Sequence, residues 1–293
     1  MTKGGPSLET LRREIDAVDD RMHDLLMHRA EIVEHIGAVK VRNDEKVYIR
    51  PGREALILRR LVGRHRGSIP AAVVVRMWRE MIAATARLQG PLSVAVHAPE
   101  KSVGYWDLAR DHYGSGTRMT LHRVATLVIR AVVDGTATIG VLPLPEDEDA
   151  DPWWRMLLAT DARMPRVVAR LPFIENRGGR LEHLEALAIG PGKREPTGDD
   201  VTLLAVEASA ELSRGRLIEG FRETGLTAHV IAVWHDREAP DSRLYLLELR
   251  DFVAADDARI ARVEAGLGGL VGRSINLGGY AVPLGDVGGG DGA

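Results

Sequence analysis

The feature that most constrains this chain is a seam of apolar residues near its start. Leu11, Ile15, Val18, Met22 and Leu25 follow one another at spacings of 4, 3, 4 and 3, and Ile32, Ile36 and Val39 resume the seam after a gap of seven. That heptad pattern keeps one stripe on a single face of an α-helix. Ser7 is placed to cap the helix, with Glu9 and Glu14 near its start, where the helix dipole favours negative charge. The segment is therefore expected to form one helix of about eight or nine turns. One seam position is not apolar, and it is Arg29.

A break follows at Asn43-Asp44, and Pro51-Gly52 opens a second helix carrying Leu56, Leu58, Leu61 and Val62. Gly67, Ser68 and Pro70 interrupt again. A third helix should place Val74, Trp78, Met81, Thr85 and Leu88 or Gln89 on one face and stop at Gly90-Pro91. Residues 7–90 thus read as an all-α domain of a long, a short and a medium helix. Beyond residue 90 the period changes to α/β. Strands are expected at 92–98, 139–144, 166–173 and 187–190, and helices at 105–113, 125–134 and from Pro152-Trp153-Trp154. Residues 91–190 form this α/β region and 190–200 a linker. Strand, helix, strand, strand, helix and strand then run from 201 to 282, a ferredoxin-like βαββαβ unit over 200–284. The Gly-rich tail 285–293 is expected to be disordered.

Composition excludes several chemistries. The 293 residues include no cysteine, so disulfides, thiolate metal sites and cysteine nucleophiles are ruled out. No apolar run is long enough for a signal peptide or a membrane span, and the cytoplasm is the expected compartment. The formal net charge of −3 gives no reason to expect nucleic acid as a partner. That mean hides an asymmetry: residues 1–90 hold 17 basic and 12 acidic residues, and the remainder 22 and 30. The ten histidines show no metal-ligand spacing. Trp153-Trp154 reads as helix packing.

Arg29 is the sharpest signal in the basic segment. An arginine on an apolar seam either snorkels outward, pairs with a buried carboxylate or faces an anion site. Lys40, eleven residues on, falls about 20° away around the helix and about 16 Å along it. Two cations on one stripe suit an anion pocket, and periodicity alone leaves pocket and snorkel both open. Arg12 lies about 25 Å from Arg29 on the same helix, too far for both to grip one small ligand.

The run Leu11-Arg12-Arg13-Glu14-Ile15-Asp16-Ala17-Val18-Asp19, then Arg29, Ile36-Gly37-Ala38-Val39-Lys40, Arg53-Glu54 and a third helix ending at Gln89 together resemble the all-helical chorismate mutases over residues 8–89. The resemblance implies an intertwined homodimer in which each site takes one arginine from the other chain, and Arg12 would be that residue. It implies that Arg29 and the partner's Arg12 hold the substrate carboxylates and that Lys40 and Gln89 meet the breaking ether oxygen. Arg53 and Glu54 would open the second helix at the substrate, Glu54 accepting from its hydroxyl, and Thr85 would supply a small hydroxyl one turn before Gln89. The family's loop carboxylate before Arg53 is missing, since this chain reads Tyr48-Ile49-Arg50 there. The implied activity is conversion of chorismate to prephenate in phenylalanine and tyrosine biosynthesis. That unimolecular rearrangement needs neither nucleophile, metal nor cofactor; it needs a folded conformer and stabilisation of charge on the ether oxygen.

Val94 to Glu100 and Ala131 to Leu144 are similar to the first lobe of a prephenate dehydratase, and the final unit, with Gly278-Gly279-Tyr280, to its ACT regulatory domain. The layout is that of the bifunctional chorismate mutase-prephenate dehydratase family with a reduced middle. Only about 110 residues separate the helical part from the last unit, too few for a two-lobed cleft. The family's Thr-Arg-Phe run has at best Thr202-Leu203-Leu204. Gly215-Arg216-Leu217 stands at its Gly-Ala-Leu effector contact, and Val233-Trp234-His235 replaces its Glu-Ser-Arg-Pro. The expectation is a mutase whose dehydratase-like region is inactive and whose ACT-like unit is structural or regulatory, with an aromatic amino acid as its candidate effector. Two alternatives remain, a working bifunctional enzyme and a non-catalytic sensor of an aromatic metabolite.

Overall fold

The computed structural model describes residues 6–43, 49–99, 104–147, 149–159, 161, 163–175, 181, 183–191, 194–236 and 238–285. By its contacts the chain divides into two compact units, residues 1–48 with 85–91, and residues 49–84 with 92–293. The expected tail beyond 285, and the loop before Ile49, lie outside the described residues.

The first unit is built on α1 (Leu8–Arg42), capped as its sequence suggests: the Ser7 hydroxyl accepts from the Thr10 amide at 3.2 Å. At 35 residues the helix runs about a turn longer than the periodicity implied. No residue of it is buried, and the whole seam stays in the open, Leu25 at 69% and Ile15 at 61% exposure. Instead Arg29, Val33, Gly37 and Lys40 are half-buried. Their spacings of 4, 4 and 3 put them on one stripe beside the seam.

The second unit contains α2 (Pro51–Gly63) and most of α3 (Ala71–Gln89). Ala55 and Leu58 of α2, Ala71 and Val75 of α3, and Phe173 and Ile174 share one buried cluster. On α3 Ala71, Val75, Arg79, Ala83 and Ala86 are buried, one position round from the expected Val74, Trp78 and Met81, which are only half-buried, while Thr85 of the expected face is buried. Alanines and one arginine mark the buried stripe, so it carries no strong apolar signal.

Among the described residues the sheet has nine strands: β1 (Ser93–His97), β2 (Arg118–His122), β3 (Ile139–Pro143), β4 (Arg166–Leu171), β5 (Ala186–Gly190), β6 (Asp200–Ser209), β7 (Ala228–His235), β8 (Ser242–Leu249) and β9 (Val271–Ala281). Their order is β2-β1-β3-β5-β4-β9-β6-β8-β7. β1 pairs in parallel with both β2 and β3, through the crossover helices α4 (Gly104–Tyr113) and α5 (Ala125–Val133). The last four strands, with α6 (Arg214–Glu223) and α7 (Ala258–Leu267), form the expected βαββαβ unit. α6 starts at Arg214 because Ser213 caps it, its hydroxyl accepting from the Arg216 amide. β2 escaped the sequence reading: it is an edge strand with no buried residue. Trp153–Leu158 is a 3-10 helix rather than an α-helix, with Trp153, Trp154 and Leu157 in the core.

β6 is buried on both faces. Leu203 and Ala205 join the cluster of Trp154, Ile129 and Leu142, while Leu204 and Val206 join Phe221, Leu217 and Val263 of the helices beyond. The parts join where β4 runs beside β9, with Val167 opposite Gly278. Gly278 has φ +104°, and a Cβ there would fall 2.2 Å from the Val167 carbonyl oxygen, so only glycine permits this approach. Arg170 of β4 strengthens the join, donating through Nε and Nη2 to Glu185 at 2.9 and 3.0 Å and through Nη1 to the Tyr280 hydroxyl of β9 at 3.0 Å.

Candidate active site

The half-buried stripe of α1 meets the C-terminal turn of α3 inside the first unit. Arg29 Nη1 donates to Thr85 Oγ1 at 3.3 Å, and Lys40 Nζ donates to Gln89 Oε1 at 3.1 Å. Arg29 and Lys40 are about 16 Å apart along α1, whereas Thr85 and Gln89 are about 6 Å apart along α3. The two long cationic side chains therefore reach toward each other from either end of the stripe. Of the readings left open for Arg29, a seat beside Thr85 on this inner stripe is what the structure displays, and no carboxylate takes part in that contact.

Burial pulls the Arg29 pKa below its ordinary value, which lies so far above neutrality that the group remains a cation. A half-buried guanidinium next to a neutral hydroxyl keeps several further N–H donors and suits a carboxylate, which accepts two in parallel. With Gln89 Oε1 facing Lys40, the amide NH2 is the end of that side chain turned elsewhere, available as a donor. The cluster thus offers a carboxylate grip at one end and an ammonium with an amide donor at the other.

Arg12 is exposed on α1, far from the cluster in its own chain. Arg53 is exposed at the first turn of α2. Glu54, in the second unit, is held by a residue the sequence reading missed: Arg79 Nη1 donates to Glu54 Oε2 at 2.7 Å, with the two side chains 6% and 15% exposed. The Arg79 guanidinium also lies 5.2 Å from the Phe173 ring centroid. Burial lowers its pKa and the Glu54 carboxylate raises it in return. Beside them, His112 is pushed well below the ordinary histidine range by burial and by the Arg79 charge, while burial raises the Tyr113 phenol. Arg79 could have been suspected only from its place between Val75 and Ala83 on a helical stripe, and that stripe was not the one the apolar pattern picked out.

The other residues singled out in the sequence lie in the second unit. Thr202 is fully buried in β6, its hydroxyl donating to the Asp251 carbonyl at 2.8 Å and accepting from the Val253 amide at 2.9 Å. Gly215 and Arg216 are exposed in the first turn of α6. At the end of β7 the Val233 amide donates to Asp147 Oδ1 at 2.9 Å, the Trp234 indole donates to the Ala150 carbonyl, and Arg155 stacks 3.3 Å over the Trp234 ring. Among the described residues no group of three metal-ligating side chains occurs, and no helix is long and apolar enough to cross a membrane.

Residues 11–90 match the family described as chorismate mutase type II. The bifunctional chorismate mutase/prephenate dehydratase of Stutzerimonas stutzeri is 30% identical over 141 residues, which is 47% of this chain and 38% of that enzyme. The chain therefore spans less than two fifths of the curated relative it matches. Among solved structures, a prephenate dehydratase from Streptococcus mutans covers 66% of this chain and 99% of its own at 15% identity, with a TM-score of 0.46. GqqA, described as a novel type of quorum quenching acylase, covers 65% and 95% at 16% identity, with a TM-score of 0.47.

Proposed function

We propose that the helical segment of residues 8–89 converts chorismate to prephenate by a [3,3] rearrangement, acting as a homodimer. The observation that carries this reading is the pairing of Arg29 with Thr85 and of Lys40 with Gln89 on one stripe, within a segment that matches the chorismate mutase type II family.

The residue types follow from the reaction. A unimolecular rearrangement gains rate when the substrate is held folded, with its reacting carbons in near-attack geometry. Arg29 and the partner subunit's Arg12 would grip the two carboxylates through guanidinium forks. As the ether C–O bond lengthens, negative charge grows on its oxygen. Lys40 Nζ and the Gln89 amide NH2 are the donors for that oxygen, and they act most strongly in the transition state because the charge peaks there. Glu54 is assigned to the substrate hydroxyl, with Arg53 next to it and Thr85 supporting Arg29.

The dimer is supported by the exposed seam of α1. A stripe with Leu11, Ile15, Val18, Met22, Leu25, Ile32, Ile36 and Val39 all at 41% exposure or more is an apolar surface that a second α1 would cover. We assign no dehydratase step to this chain, because the only trace of the family's catalytic run is buried in β6. No aromatic effector is assigned to the βαββαβ unit either, since Val233 and Trp234 are already engaged by residues 147–155.

The test is to follow chorismate absorbance after adding the purified protein and to identify the product. Chorismate should disappear at enzymic rates with prephenate accumulating. Phenylpyruvate at enzymic rates would restore the bifunctional reading. Bound but unconverted chorismate would make the protein a sensor.

A further inference from the structure

Gly37 stands inside a 35-residue helix, where glycine is the least favourable residue after proline. Nothing in the backbone of α1 demands it, since its φ is not in the left-handed range. The reason lies across the contact. Among the described residues, the atoms nearest a Cβ built at Gly37 all belong to Gln89, its Cγ at 3.4 Å, Cα at 3.9 Å and Cβ at 4.0 Å. Gly63, the last residue of α2, is a helical glycine whose added Cβ would meet nothing within 4 Å. Lys40 is three residues beyond Gly37 on the same face, and it donates to Gln89 Oε1.

We infer that Gly37 is a positioning residue for the rearrangement: it lets the stem of Gln89 lie directly against α1, so that Lys40 can hold the amide oxygen and leave the amide NH2 aimed at the ether oxygen. This rests on the reading of Gln89 as a donor to that oxygen. Two contacts one turn apart thus fix both ends of a flexible side chain, the aliphatic stem against a bare helix surface and the amide against an ammonium. A Cβ at position 37 would just touch the stem, and a side chain branched beyond it would lift the stem. Displacements well under 1 Å at a transition-state donor are enough to be felt in rate.

The experiment is a graded series on the full-length protein: Gly37→Ala, Gly37→Val, and Gly63→Ala as the control for adding a methyl group to a helical glycine. Alanine only touches the Gln89 stem and favours the helix, so Gly37→Ala should raise Tm and leave kcat within about twofold of wild type. Valine adds γ-carbons and should lower kcat at least about tenfold. KM should stay within about twofold of wild type in both, because the carboxylate grip is at the other end of the stripe. Gly63→Ala should leave kcat unchanged. In a Gln89→Ala background, Gly37→Val should cost nothing further, whereas a merely structural role would show its full loss again. Wild-type kcat in Gly37→Val, or a loss confined to KM, overturns the inference and leaves the mutase reading standing. Absence of chorismate turnover by the wild-type protein overturns the reading and the inference together.

Discussion

The contact between Lys40 and Gln89 makes the proposed mechanism testable by a double-mutant cycle. Each residue is assigned a separate hydrogen bond to the ether oxygen, and loss of one such donor typically costs about 3 to 4 kcal/mol. Taking about 3 kcal/mol each, Lys40→Ala and Gln89→Ala should each lower kcat about 150-fold. Two independent donors would sum to about 6 kcal/mol, roughly 25,000-fold in the double variant. They are not independent here, because Lys40 Nζ also holds Gln89 Oε1 at 3.1 Å. Without the ammonium, the amide can turn over about its broad terminal torsion and present a carbonyl oxygen to developing negative charge. Lys40→Ala therefore already removes part of what Gln89 contributes. Residues in direct contact couple by about 0.5 to 3 kcal/mol. With a coupling of about 1.5 kcal/mol, the double variant should lose only about 2,000-fold. The measurement is kcat at saturating chorismate for the four proteins, read from initial absorbance decay. Full additivity would show that the contact does not orient the amide. Near-wild-type turnover in either single variant would remove that residue from the chemistry.

Two further outcomes follow from other parts of the molecule. His112 is neutral in the folded chain because burial and the Arg79 charge hold its pKa well below the ordinary value. A depressed folded pKa gives stability that is complete above the unfolded value of about 6.5 and is lost as pH falls below it, by about 1 kcal/mol between pH 6.5 and 5.5. Thermal unfolding should therefore drop in Tm over that range, and His112→Phe, which keeps a ring at 4.7 Å from the Tyr113 ring, should flatten the drop; an unchanged slope refutes the assignment. On α1, Leu25→Glu should cost a lone chain almost nothing, since Leu25 is 69% exposed there, yet it would place two charges in a paired seam. Sedimentation should show monomers, and kcat/KM should fall at least about a hundredfold as the partner's Arg12 is lost; full activity in a monomer would end the shared-site proposal.

What could be read in the sequence depended on whether the signal was periodic and local. The seam of α1 declared its helix because eight apolar residues repeat at 4-3 spacing, and the βαββαβ unit declared itself through alternating runs such as Val201 to Val206. β2 had no such run: it is an edge strand, and Arg118, Thr120 and Leu121 are exposed. The buried stripe of α3 was misplaced by one position for a related reason. Its members are Ala71, Val75, Arg79, Ala83 and Ala86, small residues that allow close approach plus one cation, whereas the larger Val74, Trp78 and Met81 drew the reading to their own face.

The site was legible in proportion to how far its residues act through their own helix. Lys40 is marked by its helical position relative to Arg29, whereas its role and that of Gln89 come from the resemblance to the all-helical chorismate mutases, and the structure adds that the two touch. Glu54 and Arg79 are different. A glutamate in the first turn of a helix is ordinary by itself, and an arginine inside a buried stripe looks like an error until the carboxylate 25 residues away neutralises it at 2.7 Å. Sequence periodicity reports the burial of apolar surface, so it passes over positions where burial is compensated by pairing. The cations it marks as anomalies are of two kinds, those answered within the fold, as Arg79 is, and those whose hydrogen bond among the described residues is to a neutral group, as Arg29's is with Thr85. In the proposed reading, a substrate carboxylate supplies the counter-charge that Arg29 lacks among the described residues.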